Sequence, residues 1–212
     1  MSKTLHYVFD PLCGWCYGAS PALSALAGAP GVAIRLLPSG LFSGDGARPM
    51  DDDFAAFAWS NDQRIERLTG QRFTEHYRTE VLADRQQIFD SGPATVALTA
   101  VALTQPELEL DTLRAVQEAR YVEGQDITRL PTLIDVLRSL GLEQAAERLA
   151  TPDGELLAAN RARVKDAQAL LQHVGAQGVP TFVLAQNGQR QLLHSSTVFS
   201  NPKAFLEQLA VA

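Results

Sequence analysis

The 212-residue sequence predicts an α/β fold in which an all-helical domain is inserted between a βαβ half and a ββα half. Three observations predict it. Apolar, β-rich runs lie near the two ends of the chain, the middle is a succession of helical patterns with their own starts and stops, and the last two runs are joined by Asn187-Gly188, a dipeptide that supplies the positive φ angles of a tight hairpin turn. With 46% hydrophobic and 20% charged residues, the composition is that of a soluble globular protein with a substantial core.

Residues 4–9 have the Tyr, Val and Phe content of a strand, and Asp10-Pro11 ends it as a turn. Residues 13–27 predict a helix, broken at Gly28-Ala29-Pro30-Gly31, and residues 32–37 a short apolar strand closed by Pro38-Ser39-Gly40. Strand, crossover helix and strand make a βαβ unit, parallel and right-handed almost without exception. From Met50 to Val174 strand signals nearly vanish. Asp51-Asp52-Asp53 places acids at the first turn of a helix carrying Phe54, Phe57 and Ala58, and Ser91-Gly92-Pro93 reads as an N-cap with Pro at the start of 94–103. Helices 111–121 and 130–140 end near Gly124 and at Gly141, and Thr151-Pro152-Asp153 opens a longer helix stopped by Gly175 and Gly178. The hairpin strands follow at 181–184 and 191–194, and Ser200-Asn201-Pro202 caps a last helix, 203–211. The domain reading is therefore 1–46 with 176–212 as one discontinuous α/β domain, and 47–175 as the helical insertion.

A formal net charge of −6, with 15 of the 18 basic residues being Arg interleaved with acids, argues against nucleic acid and against an anionic membrane surface as partners. No run approaches the ~18–20 apolar residues that span a bilayer. The N-terminus lacks the apolar stretch of about 7–15 residues of a secretory signal, so with Met1 as the native start the expected location is cytoplasmic.

The chemistry is carried by Cys13-Gly14-Trp15-Cys16, which holds the only two cysteines of the chain. At the start of the predicted helix Cys13 meets unpaired backbone N–H groups and the helix dipole, which favour a thiolate, and Cys16 lies one turn on along the same face. Two such sulfurs can close and reopen a short disulfide. Zinc, the main competing reading, needs further ligands at short spacing, whereas His6, His76, His173 and His194 are isolated from one another; no metal and no bound cofactor are expected.

The segment from Tyr7 through Asp10-Pro11-Leu12-Cys13-Gly14-Trp15-Cys16 to Gly18, with Gly178-Val179-Pro180-Thr181-Phe182 before the hairpin, resembles the thioredoxin superfamily, and within it the DsbA-like branch that includes the FrnE-type oxidoreductases and bacterial protein-disulfide isomerases. The resemblance spans essentially the whole chain and implies a thioredoxin-like fold. It implies an exposed nucleophile at Cys13, a buried resolving thiol at Cys16, and a cis bond at Val179-Pro180 that faces the pair and binds an extended substrate. Trp15 is expected half-exposed at the rim, in contact with substrate. Phe42, Phe54, Phe57 and Trp59 are expected to be core residues of the helical cap or to line the cleft beneath it. The sequence also departs from that pattern. Many relatives carry a buried acid six positions before the nucleophile, where Tyr7 stands here; Asp10 is the candidate proton relay in its place, its other role being to cap the turn. No His lies between the cysteines, so thiolate at Cys13 is expected to be less favoured than in strongly oxidising DsbA.

The functional expectation is a thiol-disulfide oxidoreductase, in the reductase or isomerase sense, acting through Cys13 and Cys16 on protein or peptide disulfides and on small thiols, with glutathione among the possible partners. Two alternatives remain: a glutathione-dependent transferase or isomerase of kappa-class type, whose members look similar in layout but typically carry Ser at the position of Cys13 and lack the second cysteine, and a non-catalytic peptide-binding or chaperone module.

Overall fold

A computed structural model describes residues 3–27 and 31–211. Strand β1 (Lys3–Phe9) is central: it pairs in parallel with β2 (Val32–Pro38). The predicted helix between them forms as two pieces, α1 (Gly14–Gly18) and α2 (Ser20–Leu26). Pro21 gives the reason, since it lacks the N–H that would reach the carbonyl of Tyr17; that carbonyl is taken instead by the Gln71 side-chain amide at 3.1 Å. The predicted break after α2 falls at residues 28–30, outside the described residues.

The helical section is entered through β3 (Arg48–Pro49), followed by α3 (Asp52–Thr69), whose N-cap Asp51 accepts from Phe54 N at 2.7 Å. A π-helical turn at Tyr77–Leu82 and β4 (Ile88–Phe89), the antiparallel mate of β3, precede α4 (Gly92–Thr104) and α5 (Glu109–Tyr121). The bundle is completed by α6 (Leu130–Ser139), α7 (Glu143–Ala150) and α8 (Gly154–Val174), the last capped by Asp153. Neither the small β3–β4 pair nor α7 nor the π-helical turn has a counterpart in the sequence reading.

The chain then forms β5 (Thr181–Gln186), antiparallel to β1, and β6 (Gln189–Leu193), joined by Asn187 and Gly188, both at positive φ. A short α9 (Ser196–Ser200) and α10 (Pro202–Val211) close the fold, with Asn201 Oδ1 accepting from Ala204 N. The four-stranded sheet has the order β2-β1-β5-β6.

Alternation along β1 divides the two faces of the sheet. Leu5, Tyr7 and Phe9 join Leu36, Phe182, Leu184 and Leu193 in one core with α2 and with Phe205 and Leu209 of α10; Leu98 of α4 and Leu113 of α5 reach into the same core. On the other face Val8, Leu37 and Val183 pack on Ala167 and Leu170 of α8. The last helix of the inserted segment is thus also a layer of the sheet. The third core belongs to the helices and is rich in Tyr77, Tyr121, Phe73 and Phe89, and it takes in Leu12 and Tyr17 from the redox segment. Phe42, Phe54 and Trp59 pack on it as expected, but Phe57 is 66% exposed. The buried stripe of α3 runs through Ala55, Asp62 and Ile65, and at 3.6 residues per turn position 57 faces away from it.

Candidate active site

The C-terminal end of β1 delivers the chain to the site. Asp10 closes the turn: its Oδ1 accepts from Leu12 N at 3.0 Å and its Oδ2 from Phe42 N at 3.1 Å and Ser91 Oγ at 2.7 Å. Ser91, expected to cap α4 with its side chain, is spent on this contact instead. The Asp10 carbonyl accepts from Cys13 N at 3.1 Å, and Cys13 takes extended geometry as the N-cap of α1, its carbonyl accepting from Cys16 N and Tyr17 N.

The two thiols are unlinked and both buried, so the exposed nucleophile expected at Cys13 is instead covered by the core around α1, and the two sulfurs differ only in degree. Cys13 is 8% exposed and its Sγ donates to the Val179 carbonyl at 3.7 Å, whereas Cys16 is 0% exposed. The Val179–Pro180 peptide bond is cis. Burial pushes the Cys16 thiol well up; Cys13 and the charge of Asp10 add to the rise, while a hydrogen bond from the backbone N–H of Asp10 opposes it. Beneath Cys16 lies Tyr7, fully buried, its hydroxyl donating to the Cys16 carbonyl at 3.1 Å. Burial first, and then the neighbouring cysteines, lift this phenol well above its ordinary range, so Tyr7 holds a neutral O–H beneath the pair. Burial likewise lifts the Asp10 carboxyl, against the pull of the hydrogen bonds from Leu12, Ser91, Phe42 and Leu41.

Trp15 is half-buried at the rim, edge-on to Phe199 at 5.0 Å between centroids. With Gln177, Val179, Pro180, Leu192, His194 and Phe199 it lines a groove of about 550 Å³ beside Cys13. The Arg64 guanidinium stands 5.6 Å from the Trp15 ring. The site thus brings together Cys13, Cys16, Trp15, Val179 and Pro180, with Asp10 and Tyr7 below.

Sequence reasoning missed a second layer. Asp62 of α3 is 5% exposed, accepts from Tyr77 Oη at 3.0 Å, and lies on Gly14 of the redox motif, where a Cβ would overlap its Oδ1. Burial lifts its carboxyl to about 7, opposed by the Tyr77 hydrogen bond and by Arg120. Arg120 of α5 is fully buried, its guanidinium 5.4, 5.3 and 5.8 Å from the rings of Tyr77, Phe89 and Tyr121. Tyr121 Oη donates to the Leu12 carbonyl at 2.9 Å, next to the nucleophile. An acid on the core stripe of an amphipathic helix was the available signal for Asp62.

A thiol pair at a strand-to-helix junction, one sulfur slightly exposed and one fully sealed, can run disulfide exchange, and it defines the class: a thiol-disulfide oxidoreductase. Residues 4–209 match the DSBA-like thioredoxin domain, and the chain belongs to that family. Among solved structures, it is similar to the cytosolic disulfide reductase DsbM of Pseudomonas aeruginosa, with 38% identity over 99% of this chain and 100% of that one and a TM-score of 0.87. The same protein solved with GSH gives 36% identity over 99% and 100% of the two chains, with a TM-score of 0.85. A 2-hydroxychromene-2-carboxylate isomerase shares the fold, at 18% identity over 98% and 97% and a TM-score of 0.60. No curated protein sequence matches the chain. Among the described residues no helix is long and apolar enough to cross a membrane.

Proposed function

We propose that the protein is a cytoplasmic disulfide reductase, with isomerase capacity, acting on small and peptide disulfides of which glutathione disulfide is the leading candidate. The observation that carries this reading is the inequality of the sulfurs: Cys13 keeps 8% exposure and bonds the carbonyl of Val179, which lines the groove, while Cys16 is sealed and its thiol held well up by burial. Cys13 thiolate attacks one sulfur of the substrate disulfide, forming a mixed disulfide and releasing one thiol. Cys16, deprotonated, then attacks Cys13 Sγ; the Cys13–Cys16 disulfide forms and the second thiol leaves. Two external thiols return the pair to the dithiol, their own sulfurs becoming a disulfide. Asp10, within electrostatic reach of Cys16 and itself lifted by burial, is the proton acceptor for the second step. Val179, Pro180 and Trp15 hold the substrate along the groove.

Two features support an anionic substrate. Among the described residues no acid lines the groove, and the exposed Arg64, stacked on Trp15, has no ion-pair or hydrogen-bond partner among them, which leaves its donors available to a carboxylate such as those of glutathione. The 36% identity to a reductase solved with GSH points the same way. The kappa-class alternative is disfavoured by the retained second thiol. Equilibration with glutathione tests the direction: a reduction potential near that of thioredoxin, about −270 mV, is expected, and one near the −120 mV or so of DsbA would overturn the reductase reading.

A further inference from the structure

A buried carboxylate is costly unless something uses it, and the oxygens of Asp62 are divided between two partners. Oδ2 takes the Tyr77 hydroxyl, and Oδ1 rests on Gly14, between the two cysteines in sequence. Behind them the buried Arg120 guanidinium is held by the faces of Tyr77, Phe89 and Tyr121. Such an acid and cation, out of water and against the loop that carries the nucleophile, act on it through a low dielectric.

We propose that Asp62 is a positioning residue for the nucleophile: seated on Gly14 by Tyr77 and balanced by Arg120, its carboxylate opposes thiolate at Cys13 and holds the Cys13–Cys16 pair on the reducing side. The redox logic follows from what the thiolate does, since stabilising it stabilises the reduced form and makes the pair a stronger oxidant. The charged and titratable groups facing Asp62 are Tyr77 from the π-helical turn, Arg120 and Tyr121 from α5, and the thiol pair beyond Gly14; along α3 its buried neighbours are Ala55 and Ile65. Burial places the Asp62 titration at about 7, so the opposition is engaged as pH rises through neutrality.

The test is the rate of Cys13 alkylation by iodoacetamide against pH, with the glutathione equilibrium constant alongside. Wild type should show an inflection near pH 7. Asp62→Asn keeps the shape and the acceptor for Tyr77 but leaves Arg120 uncompensated. It should lose the inflection, alkylate several-fold faster at pH 7, and shift the equilibrium several-fold toward the dithiol. Superimposable profiles for the two proteins would overturn the proposal. Should Asp62→Asn fail to fold, Tyr77→Phe decides: it removes a hydrogen bond that pulls the carboxyl down, so the inflection must move to higher pH, and an unmoved inflection contradicts the proposal. The inference rests on Cys13 being the attacking thiol. Labelling at Cys16 instead would break that assignment, whereas labelling at Cys13 with a profile indifferent to Asp62 breaks this proposal alone.

Discussion

The redox pair sits between two walls of different chemistry. On the sheet side, Tyr7 and Asp10 enclose Cys16 with a neutral hydroxyl and a carboxyl whose oxygens are tied to Leu12, Phe42 and Ser91. On the helical side, Asp62, Tyr77 and Arg120 face Gly14 with an acid titrating at about 7 and a buried cation. The first wall seals a sulfur by desolvation. The second addresses the other sulfur by charge. A single four-residue motif can therefore carry two unlike thiols because a different layer of the fold sets each one.

The largest expected effect breaks the comparison outright. Cys13→Ser should remove disulfide reduction by roughly three orders of magnitude or more, while Cys16→Ser should retain attack and accumulate a mixed disulfide, seen as added mass on Cys13. Equal losses without a trapped adduct would deny the division of labour. Next, Gly14→Ala drives a methyl into Asp62 Oδ1, with Ile65 Cδ1 also 3.2 Å from the new atom. It should cost about 1–3 kcal/mol in urea unfolding, and a smaller cost in an Asp62→Ser background would locate the clash, because neighbours in contact are not additive.

The pH dependence of stability sharpens the contrast further. Asp62 moves from an ordinary 3.8 to about 7 on folding, so the folded state binds its proton more tightly. Its contribution is fully present below about pH 4 and is lost as pH rises through 7, by an amount of the order of a few kcal/mol. The difference between wild type and Asp62→Asn in Tm against pH should carry that slope, and a flat difference would count against the burial of the charge. The smallest effect is on the sheet side. Tyr7→Phe removes the donor to the Cys16 carbonyl and should cost about 1 kcal/mol, or about 2–4 °C in Tm, while leaving the pH profile of Cys13 alkylation in place.

Much of this was legible in the chain. The main strands, the Asn187-Gly188 turn, the helix starts at Asp51-Asp52-Asp53 and Thr151-Pro152-Asp153, and the convergence of Cys13, Cys16, Trp15, Val179 and Pro180 all follow from local periodicity, turn chemistry and the family motifs. What was not legible depends on distant packing. Nothing local says that the carbonyl freed by Pro21 would be claimed by Gln71, or that the Ser91 hydroxyl would go to Asp10 in place of its own helix. The division at residue 175 also hides the second use of α8, whose Ala167 and Leu170 cover the sheet. Asp62 was visible only as an acid on an apolar stripe, and its purpose required knowing which glycine it touches.

The most direct test of the two-wall account is mass-resolved alkylation of the reduced protein at pH 7 with limiting iodoacetamide. Modification confined to Cys13, with Cys16 labelled only after unfolding, is the result the account predicts. Comparable labelling of both cysteines in the folded protein would contradict it.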